Sequence, residues 1–306
     1  MKVLVAGGTG VVGQQLVPLL LEEGHDVVTL AGSSTRASSQ PADTIVANAL
    51  DRDSVVAAVG RVDPDAVIQL LTAIPRRIRP RNFARDMATT NRLRSEGTRH
   101  LLAAAPTARL ITQGVAFLYE PAPGLASEAR PLWETGPRPI RPVVEALRTA
   151  EQLTLDAGGA VLRFGHLYGP HTHLAHDGDF TDQVRRGRMP LVAGGASVFS
   201  FTHTADAARA VVTALRNEAH GIYNVDDDEP APLEVWLPEF ARLLGAPSPR
   251  RVPGWAASLL GGSWGRAYLG SLVGADNRRA TEELGWRPSR SSWRGGFPEM
   301  LNRVGA

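Results

Sequence analysis

Short apolar runs alternate with longer amphipathic stretches along most of this chain. The first run, Val3 to Ala6, leads into a helical pattern that continues to Leu21, and the next run covers Asp26 to Ala31. Strands that are apolar along their whole length are buried on both faces. The alternation therefore predicts a parallel sheet covered by helices on both sides. Its further strands are predicted at 44–47, 66–71, 108–112, near 160 and at 221–225.

Three glycines, Gly7, Gly10 and Gly13, lie between the first predicted strand and the first predicted helix. Glycine adopts positive φ and has no Cβ, so the backbone can approach a pyrophosphate closely. The N-terminus of the helix adds free N–H groups and a partial positive charge. We therefore predict a dinucleotide site rather than a plain tight turn. Its residues are Gly7, Thr9, Gly10, Val11, Val12 and Gly13.

Composition restricts the chemistry further. The 306 residues are 43% hydrophobic and carry a formal charge of +2, so we expect neither a membrane span nor a nucleic-acid partner, and we expect a cytoplasmic protein. The absence of cysteine excludes disulfides, thiolate catalysis and cysteine-bound metals. Lys2 is the only lysine, so almost all the positive charge is arginine, which does not act as a base.

Several motifs resemble the extended short-chain dehydrogenases/reductases, in particular the sugar-nucleotide epimerases and dehydratases. They are the G-x-x-G-x-x-G spacing, the Tyr168-Gly169-Pro170 turn after Leu162-Arg163, and the segment Gly285 to Pro288. The resemblance covers most of the chain. It implies a Rossmann-type doubly wound parallel sheet of about seven strands, with a smaller mixed α/β C-terminal lobe for the substrate. The implied domains are 1–165, joined by 198–226, and a substrate lobe mainly within 166–306.

The resemblance also implies where the rest of the cofactor lies. An acidic residue at the end of the second strand would favour NAD, but Ala31 and Gly32 stand there. The hydroxyls and guanidinium that follow suit a 2′-phosphate, so we expect NADP, with NAD as the less favoured cofactor. The alternative is a polar turn with an incidental arginine. The residues implied beyond the glycine loop are Ser33, Ser34, Arg36, Asn48 and Ala49 for the adenosine end and Leu70, Leu71 and Thr72 for the cleft.

The proton-transfer groups of the family are missing. Its members place a serine or threonine at the end of the fifth strand and a Tyr-x-x-x-Lys pair on the next long helix. Here Gly114 takes the serine position, Val143 the tyrosine position and Leu147 the lysine position. A shifted alignment does not restore the pair, because no tyrosine precedes Lys2.

Other residues near the implied nicotinamide position are candidates for proton transfer or substrate binding. His166 titrates near neutral pH when unperturbed, and Tyr168 is a candidate donor to a substrate carbonyl. Gln113, with Tyr119, is a further candidate for polarising the substrate. A structural role in the turn is the alternative for each. The histidines that follow offer no complete ligand set, so we expect no metal; they are His171, His173 and His176.

Three charged or glycine-rich segments have two interpretations each. The arginines between Pro75 and Arg81 form either a solvated loop or an anion-attracting mouth. The acids from Asp226 to Glu229 suggest a metal site, but capping of the helix predicted from Pro232 explains them better. Gly254 to Gly274 is a candidate flap over the substrate.

The favoured function is an NADP-dependent oxidoreductase with a non-standard proton donor. Its substrate would be a small molecule with a hydroxyl, a carbonyl or an activated double bond. The alternatives are a non-redox isomerase, cyclase or lyase on the same scaffold, and an NADP-sensing binding protein. Relatives dimerise through the two long helices after the fourth and fifth strands. In this chain those helices also carry charged residues, so both a monomer and a homodimer remain open.

Overall fold

A parallel sheet of seven strands forms the centre of the protein. We describe it from a computed structural model that covers residues 1–33 and 41–302. In chain order the strands are β1 (Lys2–Ala6), β2 (Asp26–Ala31), β3 (Asp43–Val46), β4 (Ala66–Gln69), β5 (Arg109–Val115), β6 (Ala160–Phe164), β7 (His166–Tyr168), β8 (Leu191–Val192), β9 (Val198–Phe199), β10 (Phe201–His203), β11 (Gly221–Val225), β12 (Ala231–Pro232) and β13 (Arg251–Val252). The order across the central sheet is β11-β6-β5-β4-β1-β2-β3, and all its neighbours are parallel.

Helices connect these strands and cover both faces of the sheet. They are α1 (Gly13–Glu22), α2 (Arg52–Val59), α3 (Phe83–Arg92), α4 (Thr98–Ala104), α5 (Arg141–Asp156), α6 (Asp179–Arg185), α7 (Thr204–Arg216), α8 (Leu233–Leu243), α9 (Gly254–Gly270), α10 (Arg278–Glu282) and α11 (Trp293–Asn302). A π-helical turn, Leu93–Gly97, joins α3 to α4.

Alternate residues of the strands face opposite layers, as the uniform apolar runs predict. Val3 and Val5 of β1 pack with α1 and α7, whereas Leu4 packs with α2 and α4. The predicted doubly wound Rossmann-type fold is therefore confirmed. β11 follows α7 late in the chain and pairs with β6 at the edge of the sheet.

The order of the strands determines where a ligand can bind. From β1 the chain moves outward to β2 and β3, and then crosses to β4 on the other side of β1. In open α/β sheets the crevice beyond the carboxyl ends of the strands at such a switch point is the binding site. The loop after β1 and the loop after β4 border this crevice.

Residues after β6 build a smaller lobe from short strand pairs and helices. β7 pairs with β10, β8 with β13, and β9 with β12. Edge-to-face aromatic contacts fill its core, for example between Phe201 and Phe297, with ring centroids 5.1 Å apart. The largest buried side chains of this core are Tyr168, Phe199, Phe201, Trp236, Phe240, Trp293 and Phe297.

One predicted feature of this part of the chain needs correction. Asp226 and Asp227 are 0% and 2% exposed, and α8 begins after Pro232 without a side-chain cap, so the aspartates do not cap that helix. The segment predicted as a candidate flap forms α9, with non-helical backbone at Gly262, and its role as a flap stays a prediction. Within residues 1–33 and 41–302, no helix has the length and apolar character needed to cross a bilayer.

Candidate active site

A deep cleft of approximately 1480 Å³ lies between the sheet and the smaller lobe. It extends from the glycine loop after β1, past the ends of β4, β5 and β6, to residues of α9. Residues from both parts of the chain form its walls, as is common for sites that hold a cofactor and a substrate side by side.

The glycine loop has the geometry of a phosphate cradle. Gly7 has φ of +101°, and a Cβ there would lie 2.8 Å from the carbonyl carbon of Leu70. A Cβ on Gly13 would lie 2.3 Å from the Gly7 oxygen, so the helix can begin this close to the loop only with glycine. The backbone amide of Gln14 donates to the Gly10 oxygen at 2.9 Å, which is the first hydrogen bond of the helix to span four residues. The loop amides before Gln14 therefore do not take part in the regular hydrogen bonds of the helix.

The predicted adenosine contacts lie along the edge formed by β2 and β3. Ser33 is exposed at the end of β2, whereas Ser34 and Arg36 lie outside the described residues. Asn48 is exposed, and its Oδ1 accepts from the Leu50 amide at 3.1 Å. The Ala49 oxygen contacts Nδ1 of His100 at 3.0 Å. The assignments of these residues to a cofactor stay predictions.

The segment after β4 forms part of the floor of the cleft. Leu70 and Thr72 line it, together with Thr9, Gly10, Val11 and Val12 of the glycine loop. The Leu71 amide donates to Oε1 of Gln69 at 2.7 Å, which fixes the turn at the end of the strand.

A buried ion pair fills the space beside the position where the family carries serine. Arg163 on β6 forms two hydrogen bonds with Glu151 on α5, at 2.8 and 2.7 Å. A Cβ on Gly114 would lie 2.8 Å from Cγ of Arg163 and 3.2 Å from Oε1 of Glu151. Any side chain larger than that of glycine would therefore displace the ion pair.

Apolar residues stand where the family carries tyrosine and lysine. Val143 is 3% exposed and lines the cleft, and Leu147, one turn later, is 1% exposed in the core. Gln113 also lines the cleft, from the end of β5. Val143 and Leu147 have no ionisable group, so this wall of the site supplies no proton to a substrate.

His166 reaches the cleft but does not titrate near neutral pH. Its Nδ1 lies 3.1 Å from the Ser200 oxygen, which can only accept, so Nδ1 carries the proton. Its ring stacks on Phe117 at 4.1 Å between centroids. Burial lowers the pKa of His166 to about 3, against the opposing effect of the Ser200 contact. The expectation of an acid and base at neutral pH is corrected: the imidazole is neutral, and Nε2 is an acceptor.

Two predicted tyrosines lie in the protein interior and do not line the cleft. Tyr168 is 0% exposed, and burial raises the pKa of its hydroxyl. A Cβ on Gly296 would lie only 2.1 Å from that hydroxyl. The Tyr119 hydroxyl donates to Oδ1 of Asn224 and accepts from Arg163 at 3.1 Å. Neither hydroxyl reaches the cleft, which corrects the roles predicted for these two tyrosines at the substrate.

Aromatic side chains also line the cleft, and the sequence patterns did not identify them as a site. The rings of Phe117 and Phe199 both contact that of His166, with centroid distances of 4.1 and 4.5 Å. Trp264 and Tyr268 of α9 contact each other at 5.0 Å and also line the cleft. The four come from three separate segments, so only the tertiary structure brings them together.

The arginine-rich loop after β4 borders the cleft, but its charge is largely neutralised. Arg76 and Arg77 pair with Asp177 and Asp179 at 3.3 and 3.8 Å. Arg79 pairs with Asp86 at 2.8 Å. These pairs favour the interpretation as a solvated loop over that of an anion-attracting mouth. No group of three potential metal ligands occurs in the part of the chain that the structure describes.

Comparison with known proteins gives matches over the whole chain. A model of the NAD dependent epimerase/dehydratase family matches residues 3–226. A curated relative from Streptomyces sp, named 3-diazoavenalumate denitrifying reductase, is 44% identical over 304 residues. The alignment covers 97% of this chain and 99% of that relative.

Solved structures with the same fold include proteins determined with either nicotinamide cofactor. A human epimerase family protein determined with NADPH has a TM-score of 0.77 at 22% identity, covering 99% of this chain and 100% of that chain. The UDP-glucose 4-epimerase of Thermus thermophilus in complex with NAD has a TM-score of 0.76 at 21% identity, covering 100% of both chains. At this level of identity the likeness concerns the fold.

Proposed function

This chain belongs to the NAD-dependent epimerase/dehydratase family and is an NAD(P)-dependent oxidoreductase of the extended short-chain dehydrogenase/reductase type, and we propose that it uses NADPH to remove a diazo group from an aromatic carboxylate. In this reaction a hydride and a proton replace dinitrogen. The carbon–nitrogen bond breaks, the carbon is reduced and the nicotinamide is oxidised. The observation that carries the proposal is an intact dinucleotide cradle beside a site without tyrosine and lysine.

The cradle fits a dinucleotide. A Cβ on any of its three glycines would approach backbone atoms at 3.2 Å or less, so the loop leaves only backbone beside a bound pyrophosphate. We propose NADPH over NADH because no carboxylate follows β2, where Ala31, Gly32 and Ser33 stand. Ser34 and Arg36 then follow in the sequence as candidate partners for a 2′-phosphate. The bound cofactor supplies a hydride at the cleft.

The missing proton donor restricts which chemical groups can accept the hydride. Reduction of a carbonyl places negative charge on oxygen, and the family's tyrosine neutralises this charge by proton transfer. Val143 cannot do so, and neutral His166 carries its one ring proton on Nδ1, which is bound to the Ser200 oxygen. A diazo group loses dinitrogen without protonation of the leaving group, and water can supply the proton afterwards. The chemistry in the name of the Streptomyces relative therefore suits this site.

The walls of the cleft suit an aromatic substrate. The rings of Phe117, Phe199, Trp264 and Tyr268 offer faces and edges for stacking. Neutral His166 adds an acceptor at Nε2, which is buried and has no partner among the described residues. Together these groups would hold a planar ring and exclude water from the reacting end of the cofactor.

Turnover of matched substrates tests the proposal. An aryl diazo carboxylate and the aldehyde with the same ring and carboxylate are each incubated with the protein and NADPH, and NADPH absorbance is followed. We expect much faster oxidation of NADPH with the diazo compound, because hydride transfer to the aldehyde leaves a strongly basic alkoxide that needs a proton donor in the site. Equal turnover of the aldehyde, or no turnover of any diazo carboxylate tried, would contradict the proposal.

A glycine variant shows whether turnover depends on the cradle. Gly13→Ala places a methyl group 2.3 Å from the Gly7 oxygen and should weaken NADPH binding, measured by quenching of tryptophan fluorescence, by at least about tenfold. Gly295→Ala is the matched control, since a Cβ there meets nothing within 4 Å. If Gly13→Ala bound NADPH as tightly as Gly295→Ala does, the glycine loop would not be the binding site of the cofactor.

A further inference from the structure

One buried cation in the cleft has no role in the function proposed so far. Arg94 is 7% exposed and lines the cleft. It lies in the π-helical turn Leu93–Gly97. Turns of this kind are rare and are often found at functional sites.

The backbone that carries Arg94 is held firmly. The Arg94 oxygen accepts from Oγ1 of Thr98 at 2.6 Å. Nε2 of Gln69, at the end of β4, donates to the Leu93 oxygen at 3.2 Å and to Oγ1 of Thr98 at 3.0 Å. These bonds fix the turn to the edge of the sheet where the cofactor is expected. The position of the arginine relative to the cleft is therefore set by the fold.

The guanidinium of Arg94 has no ion-pair partner among residues 1–33 and 41–302. Its Nε is buried without a hydrogen-bond acceptor in the described part of the chain, and no carboxylate there lies within ion-pair distance. Glu151 is the carboxylate whose charge it feels most, but both oxygens of Glu151 bind Arg163. Burial lowers the pKa of Arg94 to about 10, so the group stays protonated at neutral pH.

A buried cation without a partner costs several kcal/mol in general, so such a residue is rarely kept for stability. Arg94 lines the same cleft as Gln113, Gly114 and Val143, and its π-helical turn packs against α5, the helix that carries Val143. These are the positions after β5 and at the start of α5 where the family's proton-transfer groups would stand. Among the described residues, the Arg94 guanidinium is thus the charged group close to the positions where a proton donor is missing.

We propose that Arg94 binds a ring oxygen of the substrate that is conjugated with the diazo carbon, where negative charge settles when hydride arrives. This inference rests on the proposed function, because hydride transfer to a neutral diazo compound leaves one negative charge on the product. In a site shielded from water, a fixed cation stabilises such charge strongly. Arg94 then replaces proton transfer by electrostatic stabilisation, and the proton is taken from water after dinitrogen leaves.

Variants of Arg94 test this role by turnover. Arg94→Met should lower kcat for the diazo carboxylate by about 100-fold, as loss of an oxyanion-binding donor does. Arg94→Lys should restore part of the rate because it keeps the charge. Guanidinium ion added to Arg94→Ala should also raise the rate. Arg99→Ala is the control, since Arg99 is exposed and five residues further along the chain.

A spectroscopic probe tests the anion site without turnover. In the presence of NADP⁺, 4-nitrophenol should bind to the unaltered protein as the phenolate, at a pH where it is mostly protonated in water. Arg94→Met should lose this phenolate absorbance, whereas Arg99→Ala should keep it. The probe keeps the two proposals apart: a phenolate signal that depends on Arg94, without any diazo turnover, contradicts the proposed function and supports the anion site.

Two results would overturn the inference. In the first, Arg94→Met keeps both kcat and the phenolate signal. In the second, its only defect is weaker NADPH binding, which would assign the guanidinium to the cofactor. Thermal unfolding of each variant is measured in parallel, and the Lys variant and guanidinium rescue keep the test decisive if Arg94→Met is unstable.

Discussion

Asp226 and Asp227 are both buried carboxyl groups. Both oxygens of Asp226 and Oδ2 of Asp227 have no hydrogen-bond partner among the described residues. Burial raises the pKa of Asp227 to about 9, and burial also raises the pKa of Asp226. At neutral pH Asp227 is therefore held in the protonated form, which a run of aspartates in a sequence does not suggest.

Asp227→Asn should make the stability of the protein less dependent on pH. A folded-state pKa above the ordinary value of 3.8 means that the folded state binds more protons. Its stabilising effect is complete below about pH 4 and is lost as the pH rises towards about 9. The quantity to compare is the free energy of unfolding of Asp227→Asn minus that of the unaltered protein. We expect this difference to be at least about 1.4 kcal/mol more positive at pH 8 than at pH 4.

Urea titrations at pH 4 and pH 8 measure this difference. Asp228→Asn is the control, since the Asp228 side chain is exposed at the next position. Parallel stability curves for Asp227→Asn and the unaltered protein over this pH range would show that Asp227 is ionised in the folded state.

Tyr168 provides a second test at the scale of single residues. Its hydroxyl is buried without a partner among the described residues, and the ring packs edge-to-face on Phe297 at 5.3 Å. Tyr168→Phe removes an unsatisfied polar atom and keeps the ring, so stability should be unchanged or higher. Because the residue lies outside the cleft, kcat should stay within about twofold of that of the unaltered protein. A large fall in kcat at unchanged melting temperature would show that the Tyr168 hydroxyl takes part in the reaction.

At the scale of elements, a polar network joins β5, β6, β11 and α5. Arg163 binds Glu151 on α5 and Tyr119 after β5, and Tyr119 in turn binds Asn224 on β11. Although burial opposes it, the hydrogen bond with Glu151 raises the pKa of Arg163. Gly114 leaves the space that the ion pair occupies. The loss of the family's serine is thus coupled to the packing of two strands and a helix.

Arg163→Met should destabilise the protein by about 3–5 kcal/mol, because it leaves Glu151 buried and unpaired. The double variant Arg163→Met with Glu151→Leu should recover most of this loss, since it removes both charges. Chemical denaturation of the four proteins of this cycle gives the coupling energy. An exposed pair, Arg92 with Glu96, serves as the control and should give a much smaller change. Full additivity of the two buried changes would contradict a coupled pair.

The sequence predicts most elements of the sheet and the glycine cradle because both depend on local signals. Apolar runs mark buried strands, and glycine spacing marks a turn that only glycine can form. Boundaries shift by a few residues: β5 is predicted at 108–112 and extends over Arg109–Val115. Asp51 is an N-cap of the ordinary local kind, since its Oδ1 accepts from the amides of Asp53 and Ser54 at 3.1 and 3.2 Å at the start of α2.

The substrate side of the site depends on contacts between distant segments. His166 resembles an ordinary titrating histidine in the sequence, but rings from three other segments surround it and make it neutral. Burial of Arg94 likewise depends on how the π-helical turn packs against α5. A charged residue on an amphipathic helix would otherwise be read as exposed. Such environments follow from the complete fold and not from local pattern.

For the whole molecule, the central claim is that hydride moves from NADPH to a diazo compound without a tyrosine donor. The most direct measurement combines an isotopically labelled diazo carboxylate with NADPH that carries deuterium in the transferred position. We expect labelled dinitrogen and NADP⁺ in equal amounts, with slower turnover for deuterated NADPH. Release of dinitrogen without oxidation of NADPH would contradict the claim, and would assign the scaffold to non-redox chemistry.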